Sequence, residues 1–529
     1  MKKSTIASLC TVLCVFLSVR VGTANASTKP QNPLVVLLVI DQFRADYLMR
    51  FQKDFLSPDK MGFRFLMEKG AYFPIADHAL LNNMTCPGHA AILSGAYPYR
   101  HGISLNSWFD RKKNQNEYCV RDEGQKILGD SGWVADAKGI SPKNFNANTL
   151  GDEFKNVDRP SQVVSVALKD RSAVMMGGKR ADHVYWINDK ACTWVTSQFY
   201  QKEKLPDWVL AENSRLKTEA KKKLTWGPYQ DIEHCSKQGL QTPWAVEQTL
   251  KLALKAHKEL KLGRGADTDF LLISLSSHDY LGHNLGPNSP HMKTMTLAED
   301  QFIAEFLTKI AASLPNGKND LIVALTADHG IPPTAESIPN EKMPNGNTDE
   351  ENYVQAIEAI LTEEYGKPSG GKWVERFLEA QVYLNSKALE SAKVDSAKIA
   401  KTLWKNREAQ GGVLGKTLDA IWSRDEIIVE RKIPPEDLGK VVDRTLNHRN
   451  GDLVLLLKPF NFSGKDVVSH MTHYSYDRYV PLIIYGKSFK SGIYHQVPKV
   501  IDLAPTLAAV LGVLPPVQSE GKVLTDILK

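Results

Sequence analysis

The chain has 529 residues and a formal charge of +6. Charges this close to balance give no electrostatic case for a nucleic-acid or anionic-membrane partner. The length exceeds what one simple core organises, so a large domain carrying insertions is expected.

The opening MKK, the apolar STIASLCTVLCVFLSV and the small-residue site Ala24-Asn25-Ala26 read as a secretory signal peptide over 1–26, cut after Ala26. This predicts a periplasmic or secreted protein, and removal of Lys2, Lys3 and Arg20 lowers the charge by three. No other stretch supplies the roughly 20 apolar residues of a membrane span. Cys86, Cys119, Cys192 and Cys235 lie beyond the leader. An oxidising compartment favours two disulfides among three possible pairings, of which Cys86–Cys119 with Cys192–Cys235 is adopted here.

Three apolar runs predict buried strands. LVVLLVI (34–40) ends in Asp41-Gln42, DFLLISLS (269–276) in Ser277-His278-Asp279, and DLIVALT (320–326) in Ala327-Asp328-His329-Gly330. Uninterrupted apolar strands require cover on both faces, which favours parallel pairing with helical crossovers such as 244–261 and 295–313. The expected fold is therefore α/β: a central, mostly parallel sheet flanked by helices, with inserted cap segments. Ligands in such sheets gather beyond the carboxyl ends of the strands. Two stretches interrupt the pattern and read as insertions that could roof the site. One is 106–240, rich in Trp, Tyr, Lys and Asp; the other is 331–465, with a helix-like 350–365 and a strand-like DLVLLLKP at 452–459.

The polar clusters at the strand ends carry the chemistry. Asp279 and His283 are one helical turn apart on the same side. Asp328 and His329 are adjacent at a bend and can turn toward two centres. Mixed His/Asp sets suit zinc. In NNMTCPGHAAILSG (82–95), Thr85 opens a small-residue helix. Its plain reading is an N-cap hydroxyl; its sharper reading is a nucleophile, which requires metal ligands elsewhere to activate it.

These blocks resemble the alkaline phosphatase superfamily, in the branch of bacterial phosphatases related to type I phosphodiesterase/nucleotide pyrophosphatases. The resemblance is carried by VIDQFRADYL (39–48), MTCPGHAAILSGAYPYRHGISLNSWFDR (84–111), SVALKDRSAVMMGGKRADHVYWI (165–187), SSHDYLGHNLGP (276–287), TADHG (326–330) and SHMTHYSYDRYVPLIIYG (469–486). It implies an alkaline-phosphatase-like core over 27–330 and 466–529, with an inserted segment at about 106–240 and an inserted cap over 331–465. It implies two Zn2+ per chain. One would be held by Asp279, His283 and a late histidine, the other by Asp41, Asp328, His329 and the Thr85 oxygen. The family histidine stands seven residues before the Asp of Y-D-x-x-V-P, which selects His470 and leaves His473 as the alternative.

The resemblance further implies that Thr85 attacks a phosphate monoester and forms a phosphothreonine, with Asn106, Lys169 and Arg171 binding phosphoryl oxygens. An amide, an ammonium and a guanidinium suit that task. On an extended segment, Lys169 and Arg171 would share one face, opposite Asp170. The helix behind Thr85 would offer free amides, the Cys86 N–H among them, to the phosphoryl group. The nearest rival is a phosphodiesterase or nucleotide pyrophosphatase using the same metals. A sulfatase would need C/S-x-P-x-R, whereas Cys86 is followed directly by Pro87. An inactive binding protein on the same scaffold would lack ligand types that are all present here.

Overall fold

Leu34–Ile40 (β1) carries seven consecutive apolar side chains, all buried, so both of its faces must be covered. A computed structural model of the protein describes residues 33–529 except 136, 158, 339–345 and 435, so the expected signal peptide lies outside the described residues. In this structure β1 is central in an eleven-stranded sheet. The other members in chain order are Ala71–Asp77 (β2), Ile127–Gly129 (β3), Gly132–Trp133 (β4), Val163–Ala167 (β5), His183–Asn188 (β6), Thr193–Ser197 (β7), Asp269–Leu275 (β8), Leu321–Thr326 (β9), Tyr479–Tyr485 (β10) and Gly492–Ile493 (β11). The spatial order is β11-β2-β10-β9-β1-β8-β5-β6-β7-β3-β4.

Strands β9, β1, β8, β5 and β6 are parallel, and β10 and β7 run antiparallel at the two flanks. The register pairs Val39 with both Ser274 and Thr326. The carboxyl ends of β1, β8 and β9 therefore stop at one level, and the residues that follow them share one edge of the sheet.

The helices that matter for the site are Thr85–Ser94 (α1), Asp170–Gly177 (α2), Pro243–Glu259 (α3), Ser277–Leu285 (α4) and Pro290–Ser313 (α5). Helix α3 packs on β8 and β5, with α5 against it, while α1 packs on α2. α2 itself follows directly on β5.

Residues 106–240 do not simply roof the site. Five short strands of that stretch, β3 to β7, extend the sheet itself. They are hard to read because they are brief and because polar residues interrupt them. Ser165 in the middle of β5 is buried and donates its hydroxyl to the Ala173 carbonyl of α2.

Residues 350–457 build a second, smaller core. A four-stranded antiparallel sheet orders Val374–Leu378, Gln381–Leu384, Leu453–Leu457 and Leu418–Ser423. With helices Glu350–Tyr365 and Ser396–Lys405 it buries Tyr353, Trp373, Ile357, Leu403 and Leu455. The disulfides Cys86–Cys119 and Cys192–Cys235 form as adopted above.

Candidate metal centre and active site

Two clusters of potential ligands form at the carboxyl edge of the sheet. Asp279, His283 and His470 make one, and Asp41, Asp328 and His329 the other, with the ligating atoms of each within 4.8 Å of one another. Asp41 follows β1, and its N–H donates to Leu275 O of β8 at 3.1 Å. Asp279 and His283 lie on α4, where one turn brings His283 Nε2 to 3.2 Å from Asp279 Oδ1. His329 Nε2 is 3.5 Å from Asp41 and 3.4 Å from Asp328. The clusters touch where the His329 and His470 rings stack, their centroids 3.6 Å apart.

The three imidazoles share one arrangement. Nδ1–H of His283 donates to Val468 O at 2.9 Å, that of His470 to Asn83 O at 2.7 Å, and that of His329 to Gly330 O at 3.0 Å. A carbonyl can only accept, so Nδ1 carries the proton and Nε2 presents its lone pair to the cluster. This is how metal-ligating histidines are usually fixed. In the second cluster Asp41 Oδ1, Asp328 Oδ2 and His329 Nε2 are buried without a hydrogen-bond partner among the described residues. Buried polar atoms left this way are costly unless something else satisfies them. A divalent cation fits both clusters. Burial holds the His329 and His470 rings below the ordinary histidine pKa and keeps them neutral, as ligation needs. Burial and the facing Asp328 carboxylate push Asp41 well above its usual range.

Local folding explains how His470 arrives. Asp477 Oδ2 accepts from the Met471 and Thr472 backbone N–H groups and from the Thr472 hydroxyl. This knots residues 470–477 with Met471 at φ 136°. Asn83 then donates to Thr472 O at 2.7 Å and accepts from His470. His473 belongs to neither cluster and instead lies against the Tyr474 ring.

Thr85 is the first residue of α1 rather than its cap: the cap position is Met84, and no side chain caps the helix. The buried Thr85 hydroxyl instead accepts from Arg171 Nη2 at 3.4 Å. Helix α1 is seated tightly on the second cluster. His89 Nδ1 donates to Thr85 O at 2.9 Å while lying 3.1 Å from Asp328 Oδ2. Gly88 packs so closely on the Asp328 backbone that a Cβ there would collide with it.

Lys169 and Arg171 do not alternate along an extended segment. Lys169 is extended and precedes α2, while Arg171 lies in its first turn. Both still reach the centre. Lys169 Nζ donates to Asp41 at 2.6 Å and to Asp279 at 2.5 Å, bridging a carboxylate of each cluster. Burial alone would lower its pKa, but Asp279 and Asp41 outweigh that and raise it, so the ammonium stays charged. Asp170 accepts from the Tyr118 hydroxyl at 2.6 Å. Asn106 sits beside Thr85, but its Oδ1 accepts from the Cys86 N–H at 2.9 Å, so that amide is already engaged.

Several participants had no sequence signal strong enough to single them out. Gln42 donates from its backbone to Asp328 at 3.0 Å and from its side chain to Asp279 at 2.7 Å. Its φ of 68° is unusual for a residue that is not glycine. His89 could have been noticed one helical turn after Thr85. Beside Lys169 and Arg171 opens a cavity of about 380 Å³, lined also by Arg121, Lys138, Trp186 and Lys190.

Residues 35–464 match the type I phosphodiesterase / nucleotide pyrophosphatase family. The chain is 28% identical to alkaline phosphatase PafA of Elizabethkingia meningoseptica over 96% of each protein. It is 29% identical to alkaline phosphatase PhoV of Synechococcus elongatus, over 98% of this chain and 99% of that one. The crystal structure of wild-type PafA superposes with a TM-score of 0.85 at 27% identity, covering 94% of this chain and 99% of that one. A PafA variant substituted at one threonine, one asparagine, one lysine and one arginine superposes with a TM-score of 0.84. The family match spans most of the sequence and takes in Asp41, Thr85, Asn106, Lys169, Arg171, Asp279, His283, Asp328 and His329, with His470 just beyond its end: the chain belongs to the type I phosphodiesterase / nucleotide pyrophosphatase family.

Proposed function

We propose that this phosphoric ester hydrolase is a secreted or periplasmic alkaline phosphatase that cleaves phosphate monoesters through a phosphothreonine on Thr85. In this reading two Zn2+ ions occupy the clusters, one with Asp279, His283 and His470, the other with Asp41, Asp328, His329 and the Thr85 oxygen. The observation that carries the reading is the common setting of the three imidazoles, each with Nδ1 tied to a carbonyl and Nε2 turned inward, beside a buried hydroxyl that does not cap its helix.

Bound there, a pair of divalent cations supplies the positive charge that stabilises the entering and leaving oxygens of an in-line phosphoryl transfer. The residues of the chain do the rest. Thr85 Oγ1 attacks phosphorus as the bond to the leaving alcohol breaks, and water then hydrolyses the phosphothreonine. Arg171, already within reach of Oγ1, can hold two non-bridging oxygens with its planar fork. Asn106 offers its side-chain N–H to a third oxygen. Lys169 keeps Asp41 and Asp279 in place and adds charge beside the transferred group.

A monoester exposes one more free oxygen than a diester, so this donor set favours monoesters. The PafA and PhoV likenesses support the same choice, as does the correspondence in residue type between Thr85, Asn106, Lys169 and Arg171 and the four substituted positions of the PafA variant. The basic cavity beside Arg171 gives anionic substrates an attractive approach. We take the core to span 27–330 with 466–529 and the cap to span 331–465, a division supported by the separate apolar cluster that Tyr353, Trp373, Leu403 and Leu455 build within the cap. Hydrolysis of p-nitrophenyl phosphate compared with its bis ester tests the reading. A kcat/KM favouring the monoester by at least about tenfold is expected, and a clear preference for the diester overturns it.

A further inference from the structure

Asn106 is held at three points. Its carbonyl accepts from Cys119 N–H at 2.9 Å and its Oδ1 from Cys86 N–H at 2.9 Å. Its backbone N–H donates to Glu379 Oε2 at 3.0 Å, with the Ser107 N–H a longer 3.5 Å from the same oxygen. The first two anchors belong to the core and are joined by the Cys86–Cys119 disulfide. The third comes from the cap. Among the described residues the Asn106 side-chain N–H group makes no hydrogen bond, so it is the donor left for a ligand.

Glu379 reaches this position on a two-residue turn. Leu378 pairs with Gln381, and Glu379 and Ala380 between them have φ of 52° and 59°. Hairpins of this kind normally place Asn-Gly at such positions, because both central residues need positive φ. An ordinary L residue there crowds its Cβ against its own backbone, which disfavours the conformation. A Glu-Ala turn is a poor choice for the hairpin itself, and strain of this sort clusters where it serves a site.

The surrounding cap is docked firmly on the hairpin that follows Asn106. Tyr383 meets Phe109 edge-on at 5.7 Å, Arg376 lies over the Phe109 ring, and Arg111 pairs with Asp452 at 2.7 Å. Burial pushes the Glu379 carboxyl up to about 8, opposed by the Ser107 and Asn106 N–H groups, with Glu350 adding to the rise and Arg171 countering it.

We propose that Glu379 is the cap's positioning residue for Asn106, and that through it the cap sets how strongly the site prefers a phosphomonoester to a diester. The proposal rests on the reading above that Asn106 binds a phosphoryl oxygen. Its logic is geometric. Asn106 can serve the additional oxygen only if its side chain is aimed, and the backbone bond from Glu379 is the one anchor the core does not provide. A neutral amide at 379 accepts the same N–H bond, so charge is not what the position requires.

The test measures kcat/KM for p-nitrophenyl phosphate and its bis ester in Asn106→Ala, Glu379→Ala, Glu379→Gln and the Asn106→Ala/Glu379→Ala double variant. Loss of one well-aimed hydrogen bond predicts about a tenfold fall in monoester hydrolysis for Glu379→Ala, with the diester falling far less. Glu379→Gln restores most of the loss. The double variant is no slower than Asn106→Ala alone, as expected of two residues acting through one donor. Equal losses on both substrates, an unchanged monoester rate in Glu379→Ala, or additive losses in the double variant would each overturn the assignment. The diester rate reports folding within the same experiment. If Asn106→Ala leaves monoester hydrolysis intact, the reading of Asn106 itself fails, a result distinct from failure at Glu379 alone.

Discussion

His283, His329 and His470 acquire the same assignment of their two nitrogens by three unrelated routes: a carbonyl across the fold, the next residue's carbonyl, and the Asn83 carbonyl two residues before Thr85. At this scale the sequence was most informative where spacing alone constrains geometry. Asp279 and His283 had to share a helix face, and they do. It was least informative where a knot of hydrogen bonds decides. Nothing in HMTH says which histidine turns inward; the Asp477 carboxylate does so by gathering the Met471 and Thr472 amides. A direct consequence can be checked by elemental analysis. His470→Ala should lose about one metal equivalent per chain, because it removes one of the three candidate ligands in its cluster. His473→Ala should lose none. The reverse pattern would reassign the ligand.

Elements position these residues through their ends and through their closest approaches. The long apolar strands were legible because their burial on both faces leaves no polar alternation to obscure them, and their carboxyl ends duly gather Asp41, Asp279 and Asp328. Strands β5 to β7 were not legible: each has five or six residues, and a buried serine sits inside β5. The helix carrying Arg171 was missed because LKDR is extended only at Lys169. The Glu379–Ala380 turn carries no turn residue at all, so sequence gave no hint of it. Small residues on helices were also easily overlooked, yet they set how near a helix can come. Gly88 lets α1 lie against the Asp328 backbone, and Gly282 does the same for α4 against Gln42. Gly88→Ala should therefore push α1 away from Asp328. Overpacking of this kind typically costs about 1–3 kcal/mol. The expected result is a metal affinity at least about tenfold weaker, measured by competition with a chelator, with a parallel fall in turnover. An unchanged affinity would mean that the contact is not needed to place Asp328.

Across the whole molecule, contacts between distant stretches close the catalytic core. Asp77, at the end of β2, pairs with Arg478 and Lys499, each at 2.6 Å, across sequence separations of 401 and 422 residues. Burial alone would raise the Asp77 pKa, but the guanidinium and the ammonium outweigh it and hold the carboxyl below its usual range. A depressed folded-state pKa stabilises the fold above the ordinary carboxylate range, and that contribution is lost as pH falls through the folded value. Asp77→Asn should thus destabilise the chelator-treated protein by on the order of 3 kcal/mol at neutral pH, because it leaves two cations facing a neutral group. The difference should shrink as the pH is lowered toward and below 3.8, the ordinary aspartate value. Thermal unfolding of both proteins across that range checks it, and a gap that widened in acid would contradict the assignment.

The proposed function turns on one chemical claim, that divalent cations held by the two ligand clusters make the Thr85 hydroxyl nucleophilic. Turnover of a phosphate monoester and metal content, measured together on one preparation of Thr85→Ala, test it most directly. The account predicts a loss of turnover of at least about a thousandfold with about two metal ions still bound. Substantial turnover in that variant, with the metals in place, would contradict it.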